Sequence, residues 1–235
     1  MQIAIDGPVA AGKGTVSKLV AKRLEFLYVD TGALYRAISI FCDRNNVKKD
    51  DEAAVEALIK EKHPTIGLRN PSPTEEDGRL CTVLLDGDDI SWEIRTPESS
   101  KGSSLVSRYL IVRDYLLDSQ RELAAKYNVV MEGRDIGTFV LPGAEIKIFL
   151  TGKIETRAKR RQLELQSRGE DVLLEKVMSD IQIRDKQDTE RPLRPLKKAD
   201  DSIEIDTSDM TIEEVVDKIV KLVNKKKTKH ERKRH

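Results

Sequence analysis

Histidine is scarce in this 235-residue chain: His63, His230 and His235 are the only three. A histidine-dependent triad or a histidine-ligated metal would have to rest on His63 alone, and neither chemistry is expected. Cysteine is scarcer still. Cys42 and Cys81 lack metal-ligand spacing, so two free buried thiols in a reducing setting are expected. Aromatic residues make up 4%, and no apolar run is long enough to span a bilayer. Met1–Asp6 carries neither a basic segment nor an apolar signal core, so a cytoplasmic location without a membrane partner is expected. Apolar residues at 38% and charged residues at 35% fit a folded enzyme with a highly charged surface and exclude a disordered chain.

The net charge of +1 hides an asymmetry. Residues Lys225–His235 hold seven of the 42 basic groups and one of the 41 acidic ones, which leaves the body at about −5. Such a body is no general nucleic-acid binder. The basic segment 225–235 reads as a solvated, disordered tail, set apart from a folded domain over 1–224.

The patterning alternates between strand and helix. Gln2–Asp6 reads as a short buried strand. After a glycine-rich turn, Val16, Leu19, Val20 and Leu24 recur at helical spacing. A strand at Phe26–Val29 and helices over 33–45 and 50–61 follow. The segment 63–95 breaks the pattern with β-like runs at Thr65–Leu68 and Leu80–Leu85 and turn chemistry at Asn70–Pro73 and Asp86-Gly87, so a small antiparallel insert is expected. Helical patterning resumes from Pro97 to Lys126, with one break. Strands at Val129–Met131 and Ile146–Leu150, two charged helices over 154–167 and 172–189 with a lid spanning about 157–191, and a strand at Ser202–Ile205 come next. A last helix begins at Thr211, where Glu214 completes a capping box. Its core face is Ile212, Val215, Val216, Ile219, Val220 and Val223. The expected fold is α/β: a parallel sheet flanked by helices, with the antiparallel insert and a short lid.

Gly7-Pro8-Val9-Ala10-Ala11-Gly12-Lys13 matches the first positions of the nucleotide-binding P-loop. Small residues let consecutive backbone N–H groups wrap around phosphate oxygens, and the following helix aims its positive end at the same place. Lys13 adds a point charge for the β and γ phosphates, and Thr15 a hydroxyl for Mg2+. Gly14 separates Lys13 from Thr15, a variant that resembles nucleoside monophosphate kinases more than GTPases. A kinase of that kind must neutralise two phosphate groups meeting head-on, which calls for many arginines. Arg157, Arg160, Arg161 and Arg168 form one helical stripe, and Arg184, Asp188 and Arg191 another. Arg36 follows Asp30–Tyr35. Arg134 sits in Glu132-Gly133-Arg134-Asp135 beyond a predicted strand, where α/β sheets bind ligands.

Taken together these segments resemble the bacterial cytidylate kinase family, from end to end except the basic tail. The matching stretches are Asp6–Thr15, Asp30–Arg36, Glu93–Thr96, Val112-Arg113, Glu132–Thr138 and Ile183–Arg191. The resemblance implies phosphoryl transfer from MgATP to CMP or dCMP by a monomer. It places Gly7–Thr15 and Arg157 on the ATP side. Thr31, Arg36, Arg134 and Arg191 align with groups that hold phosphate, and Lys13, Arg134 and Arg191 with the catalytic set. Ser104, Arg113 and Asp135 align with cytosine contacts, Arg184 and Asp188 with sugar contacts. The turn Pro8–Ala11 is slightly bulkier than the family's small-residue version. Asp135 also fits cytosine on physical grounds: its carboxylate can accept from the exocyclic amino group, where uracil offers another acceptor. A sister kinase acting on UMP, AMP or a shikimate-like acceptor is the nearest rival. A nucleotide-gated nucleic-acid module using the tail is the second.

Overall fold

In a computed structural model the described residues are 1–75, 77–167 and 169–231. In chain order they form β1 (Gln2–Asp6), α1 (Lys13–Leu24), β2 (Leu27–Asp30), α2 (Thr31–Arg44), α3 (Glu52–Lys62), β3 (Ile66–Arg69), β4 (Thr82–Leu85) and β5 (Asp88–Asp89). There follow α4 (Pro97–Val106), α5 (Leu110–Lys126), β6 (Val129–Gly133), β7 (Ile146–Thr151), α6 (Ile154–Gln166), α7 (Leu174–Glu190), β8 (Ile203–Asp206) and α8 (Ile212–Glu231). A 3-10 turn spans Glu93–Arg95 and a π-helical turn Ile136–Val140. The chain divides into two compact units, Met1–Phe26 with the chain from Val130 onward, and Leu27–Val129.

The first unit contains the run β6-β1-β7-β8 of a five-stranded sheet. Both β1 and β8 lie parallel to β7, with Ile3 opposite Ile146 and Ile148 opposite Ile203. Ile3, Ala4 and Ile5 are wholly buried, as the continuous apolar run of a strand covered on both faces requires. Because β1 and β7 run the same way, their carboxyl ends and the turns that follow share one edge. The contact there is close: a Cβ on Gly7 would lie 2.1 Å from the Leu150 carbonyl oxygen, so only glycine fits.

Helix α8 packs on α1 through Val215, Val216, Ile219 and Val223. Ile212, expected on that core face, is instead half exposed in the first turn. The capping box is present: Thr211 Oγ1 accepts from the Glu214 N–H, and the Glu214 carboxylate accepts from the Thr211 N–H. The helix continues through Glu231, so residues 225–231, expected as disordered tail, are helical, and 232–235 lie outside the described residues. Lysine is a good helix former, and Lys227 sits over the Phe26 ring at 5.1 Å.

The second unit holds β2 and the antiparallel β3-β4-β5 sheet, formed by the segment expected as an insert. Asp30 caps α2 by accepting from the Ala33 N–H at 3.1 Å, which starts that helix two residues earlier than its apolar periodicity suggests. Helices α2 and α4 pack closely because the residues between them are small. Ser39, Ser99 and Ser103 are buried there, and a Cβ on Gly102 would lie 2.0 Å from Ser39 Oγ. The Ser39 and Ser99 hydroxyls are buried without a hydrogen-bond partner, so the contact rests on shape rather than on polar pairing.

Replacing Gly102 by Ala is expected to lower stability by about 1–3 kcal/mol through overpacking. The urea midpoint of unfolding reads this directly. Gly143→Ala, where an added Cβ meets nothing within 4 Å, is the control. Equal midpoints for the two variants would show that α4 moves off α2 without cost.

Candidate active site

The glycine-rich turn leaves β1 at Asp6 and enters α1 at Lys13. Gly12 is the N-cap, Thr15 stands exposed in the first helical turn, and the α1 N-terminus carries no acidic residue to compete for an anion. Lys13 is 7% exposed, and its ammonium donates to the Pro8 carbonyl at 2.7 Å. Buried Asp6 lies beneath the turn. Its two carboxylate oxygens accept from the Ile136 and Gly137 N–H groups at 2.8 and 2.7 Å, tying the end of β1 to the π-helical turn. The segment Gly133-Arg134-Asp135 is thereby fixed beside the glycine-rich turn. Sequence patterning missed this role of Asp6, because strand periodicity shows no long-range capping.

Around Lys13 the charges are crowded. Arg134 Nε donates to Asp188 on α7 at 2.6 Å. Arg191, at the end of α7, approaches Asp135 at 3.5 Å and donates through Nε to the Arg194 carbonyl at 2.6 Å. Arg194 stacks on Phe139 of the π-helical turn at 3.6 Å. Burial is the main force lowering Lys13, and Arg134 adds to it. Glu132, Asp188 and Asp6 oppose it, and the ammonium settles at about 7. Burial also works on Asp188, upward, but Arg134, Arg184 and Arg191 outweigh it and hold the carboxyl below its ordinary range. For Arg134 burial pulls downward, and Asp188 and Glu132 reverse it to a net rise. Asp6 is pushed up to about 6, chiefly by burial. Arg184 shares this setting as a neighbour of Asp188.

The expected arginine stripe on α6 does not act as one surface. Arg157 is buried and donates to the Gly152 and Val9 carbonyls, each at 2.9 Å, and to Asp185 at 2.6 Å. Arg160 is bound to Thr207 Oγ1 and to the Thr207 carbonyl. Arg161 pairs with Glu164. Arg168 lies outside the described residues.

A separate cluster of charged side chains occupies the second unit. Thr31 is buried in the first turn of α2, and Arg36 reaches back to Asp30 at 3.6 Å. Arg95 joins them, 4.0 Å from the same Asp30 oxygen, with a buried Nη2 that finds no hydrogen-bond partner. Two guanidiniums thus share one carboxylate at a helix N-terminus, an arrangement suited to a phosphate. Arg95 is assigned no role from the sequence, although it lies in the family-matching stretch Glu93–Thr96. Arg113 is 2% exposed, donates to the Ser107 carbonyl at 3.0 Å and lies 5.7 Å from the Tyr35 ring centre. Ser104 is half-buried on α4.

Among the described residues no group of three or more His, Cys, Asp or Glu side chains could hold a metal ion. The Thr15 hydroxyl is a hard oxygen donor of the kind Mg2+ accepts, and it fits a cation carried largely by phosphate oxygens and water.

Phosphates entering the turn should restore Lys13 toward its usual range. Below about pH 7 the ammonium is charged before and after binding; above it, binding must take up a proton. Calorimetric titration of ADP in buffers of different ionisation enthalpy is expected to show close to one proton more taken up by wild type than by Lys13→Arg at about pH 8. At about pH 6 the difference should vanish. Equal uptake at both pH values would contradict a neutralised Lys13.

The family model described as cytidylate kinase matches residues 3–225. A cytidylate kinase of Lactobacillus johnsonii is 47% identical over 226 residues, covering 96% of this chain and 95% of that protein. One of a Geobacillus species is 48% identical over 226 residues, covering 96% and 97%. A crystal structure of an uncharacterized protein from Eubacterium ventriosum superposes with a TM-score of 0.52 at 16% identity, covering 96% of this chain and 98% of that one. At that identity it speaks for the fold alone. The expected resemblance is borne out, and the chain belongs to the cytidylate kinase family.

Proposed function

We propose that the chain transfers the γ-phosphoryl group of ATP to CMP or dCMP, giving ADP and CDP or dCDP. The observation that carries this reading is the glycine-rich turn with buried Lys13 beside the Arg134–Asp188 pair, in a chain that matches the family over residues 3–225. Phosphoryl transfer between two nucleotides needs two anion sites, and the Arg36–Asp30–Arg95 group supplies a second candidate.

The transfer is in line, with no covalent intermediate and no dedicated base, because the CMP phosphate is already a competent nucleophile. The backbone N–H groups of Gly7–Thr15 hold the ATP phosphates. Lys13 exchanges the Pro8 carbonyl for phosphate oxygens, a swap of acceptors that needs only side-chain rotation. Arg134 and Arg191 neutralise the charge that spreads over the transferring group. Thr31 and Arg36, joined by Arg95, hold the CMP phosphate. Arg184 and Asp188 meet the sugar, and Ser104, Arg113 and Asp135 the cytosine. Mg2+, when bound with ATP, would supply further charge neutralisation, and Thr15 would offer it a hydroxyl. The protein's other contribution is dryness: Lys13, Asp135 and Asp188 are buried, so each charge acts at lower dielectric than in water.

Two measurements test the reading. Turnover with CMP, UMP and AMP compared side by side is expected to favour CMP over UMP by roughly ten- to a hundredfold, the cost of opposing two acceptors in a buried site. Preference for AMP would end the proposal. Lys13→Ala should lose roughly a hundred- to a thousandfold in kcat while keeping the wild-type circular dichroism spectrum; near-normal turnover would remove Lys13 from the mechanism.

A further inference from the structure

The apex of the glycine-rich turn makes contacts that phosphate binding does not require. Ala10 adopts φ 58°, a left-handed conformation that an L side chain enters only at a cost. Glycine would relieve it, yet alanine stands there, so neighbouring interactions must hold the backbone in place.

Those interactions form a closed ring around Val9. The Val9 N–H donates to Asp185 Oδ1 at 3.1 Å, and Asp185 Oδ2 accepts from Arg157 Nη1 at 2.6 Å. The same Arg157 nitrogen donates to the Val9 carbonyl at 2.9 Å, while Arg157 Nε donates to the Gly152 carbonyl. Both peptide groups flanking the Val9 α-carbon are therefore pinned, one by α7 and one by α6. A second observation is apolar. Ala158, Val177 and Ile181 form a small buried core between α6 and α7, and Val9 and Ala10 pack against it. The side chains of Val9 and Ala10 thus dock the turn on the helix pair.

We propose that Asp185 is a positioning residue for the ATP phosphates: with Arg157 it clamps Val9, and so holds Ala10 and the N–H groups that follow in the conformation that receives them. The inference rests on the kinase reading for the identity of the ligand, and it reassigns the guanidinium of Arg157 from an ATP contact to the turn itself. Without the clamp, Ala10 relaxes out of the left-handed region, and the N–H groups after it lose their common aim. The loss falls on the nucleotide that uses this turn and leaves the other substrate alone.

The test uses the full chain and four variants: Asp185→Ala, Asp185→Asn, Ala10→Gly and the Asp185→Ala, Ala10→Gly pair. Asp185→Ala is expected to weaken ADP binding in calorimetry, and to raise KM for ATP, by roughly ten- to thirtyfold, with KM for CMP within about twofold of wild type. Asp185→Asn keeps one acceptor for the Val9 N–H but loses the charge against Arg157, so it falls between. Ala10→Gly in the Asp185→Ala background should recover part of the ADP affinity, because glycine adopts this backbone unaided. A purely structural Asp185 predicts otherwise: both KM values shift together with a fallen Tm, and glycine gives no recovery. That pattern, or ADP affinity within about twofold of wild type in Asp185→Ala, overturns the proposal. If Asp185→Ala does not fold, Asp185→Asn alone and with Ala10→Gly gives the same comparison. Wild type that binds ADP but does not phosphorylate CMP would sink the kinase reading and leave the clamp to be judged on ADP affinity.

Discussion

Burying Lys13 beside Arg134 is costly twice over, since each cation loses water and each repels the other. The rest of the first unit's site is organised around that cost. Asp188 takes Arg134 in a 2.6 Å hydrogen bond, and the field of Glu132, Asp188 and Asp6 supports Lys13. Even so, burial and Arg134 hold the ammonium well below its ordinary range, at about 7. On the proposed reading phosphates complete the arrangement: their charge would replace the hydration that folding removed, which would make the nucleotide part of what renders this buried cluster favourable.

Asp6 extends the same logic into the backbone. Its carboxylate spends both oxygens on the N–H groups of Ile136 and Gly137, two donors at the start of a π-helical turn. π-helical turns are rare and concentrate at functional sites. Here the turn redirects the chain immediately after Arg134 and Asp135, so one strand end delivers an arginine and a carboxylate in succession. Arg194 on Phe139 and Arg191 on the Arg194 carbonyl then anchor the end of α7 to that turn.

Much of this was legible in the sequence, and the reasons differ by feature. Strands such as Ile3-Ala4-Ile5 announce themselves because burial on both faces requires an unbroken apolar run. The turn at Gly7–Thr15 is legible because phosphate wrapping tolerates few side chains. The boundary of α2 was read late because Asp30, a polar capping residue, precedes the apolar periodicity. From sequence the segment 225–231 reads as tail because a charge run shows no apolar face, although lysine favours helix and Lys227 covers an aromatic ring. The arginines were the least legible. Arg157, Arg160 and Arg161 share a spacing but not a fate: backbone carbonyls and Asp185 take the first, Thr207 the second and Glu164 the third. Periodicity fixes the face of a helix, while the partner of each charge is decided by distant residues. Arg95 shows the converse, an arginine outside any helical stripe that the fold delivers to Asp30.

The two units solve anion binding differently. In the first, Arg134 faces Asp188, Arg191 approaches Asp135 and Arg157 binds Asp185. These cations already face carboxylates, so on the proposed reading attraction for phosphate leans on direction as well as charge: N–H groups fixed by the turn, the positive end of α1, and an ammonium that can leave a carbonyl for a better acceptor. Such a half-site suits a triphosphate that arrives partly neutralised by Mg2+. In the second unit Arg36 and Arg95 share the single carboxylate of Asp30, which leaves a net positive group at the start of α2. That half-site suits a bare monophosphate dianion, which has no metal to neutralise it and must be held by charge. On the proposed reading the difference would follow from what each substrate brings with it, one cluster being built from backbone and the other from guanidinium.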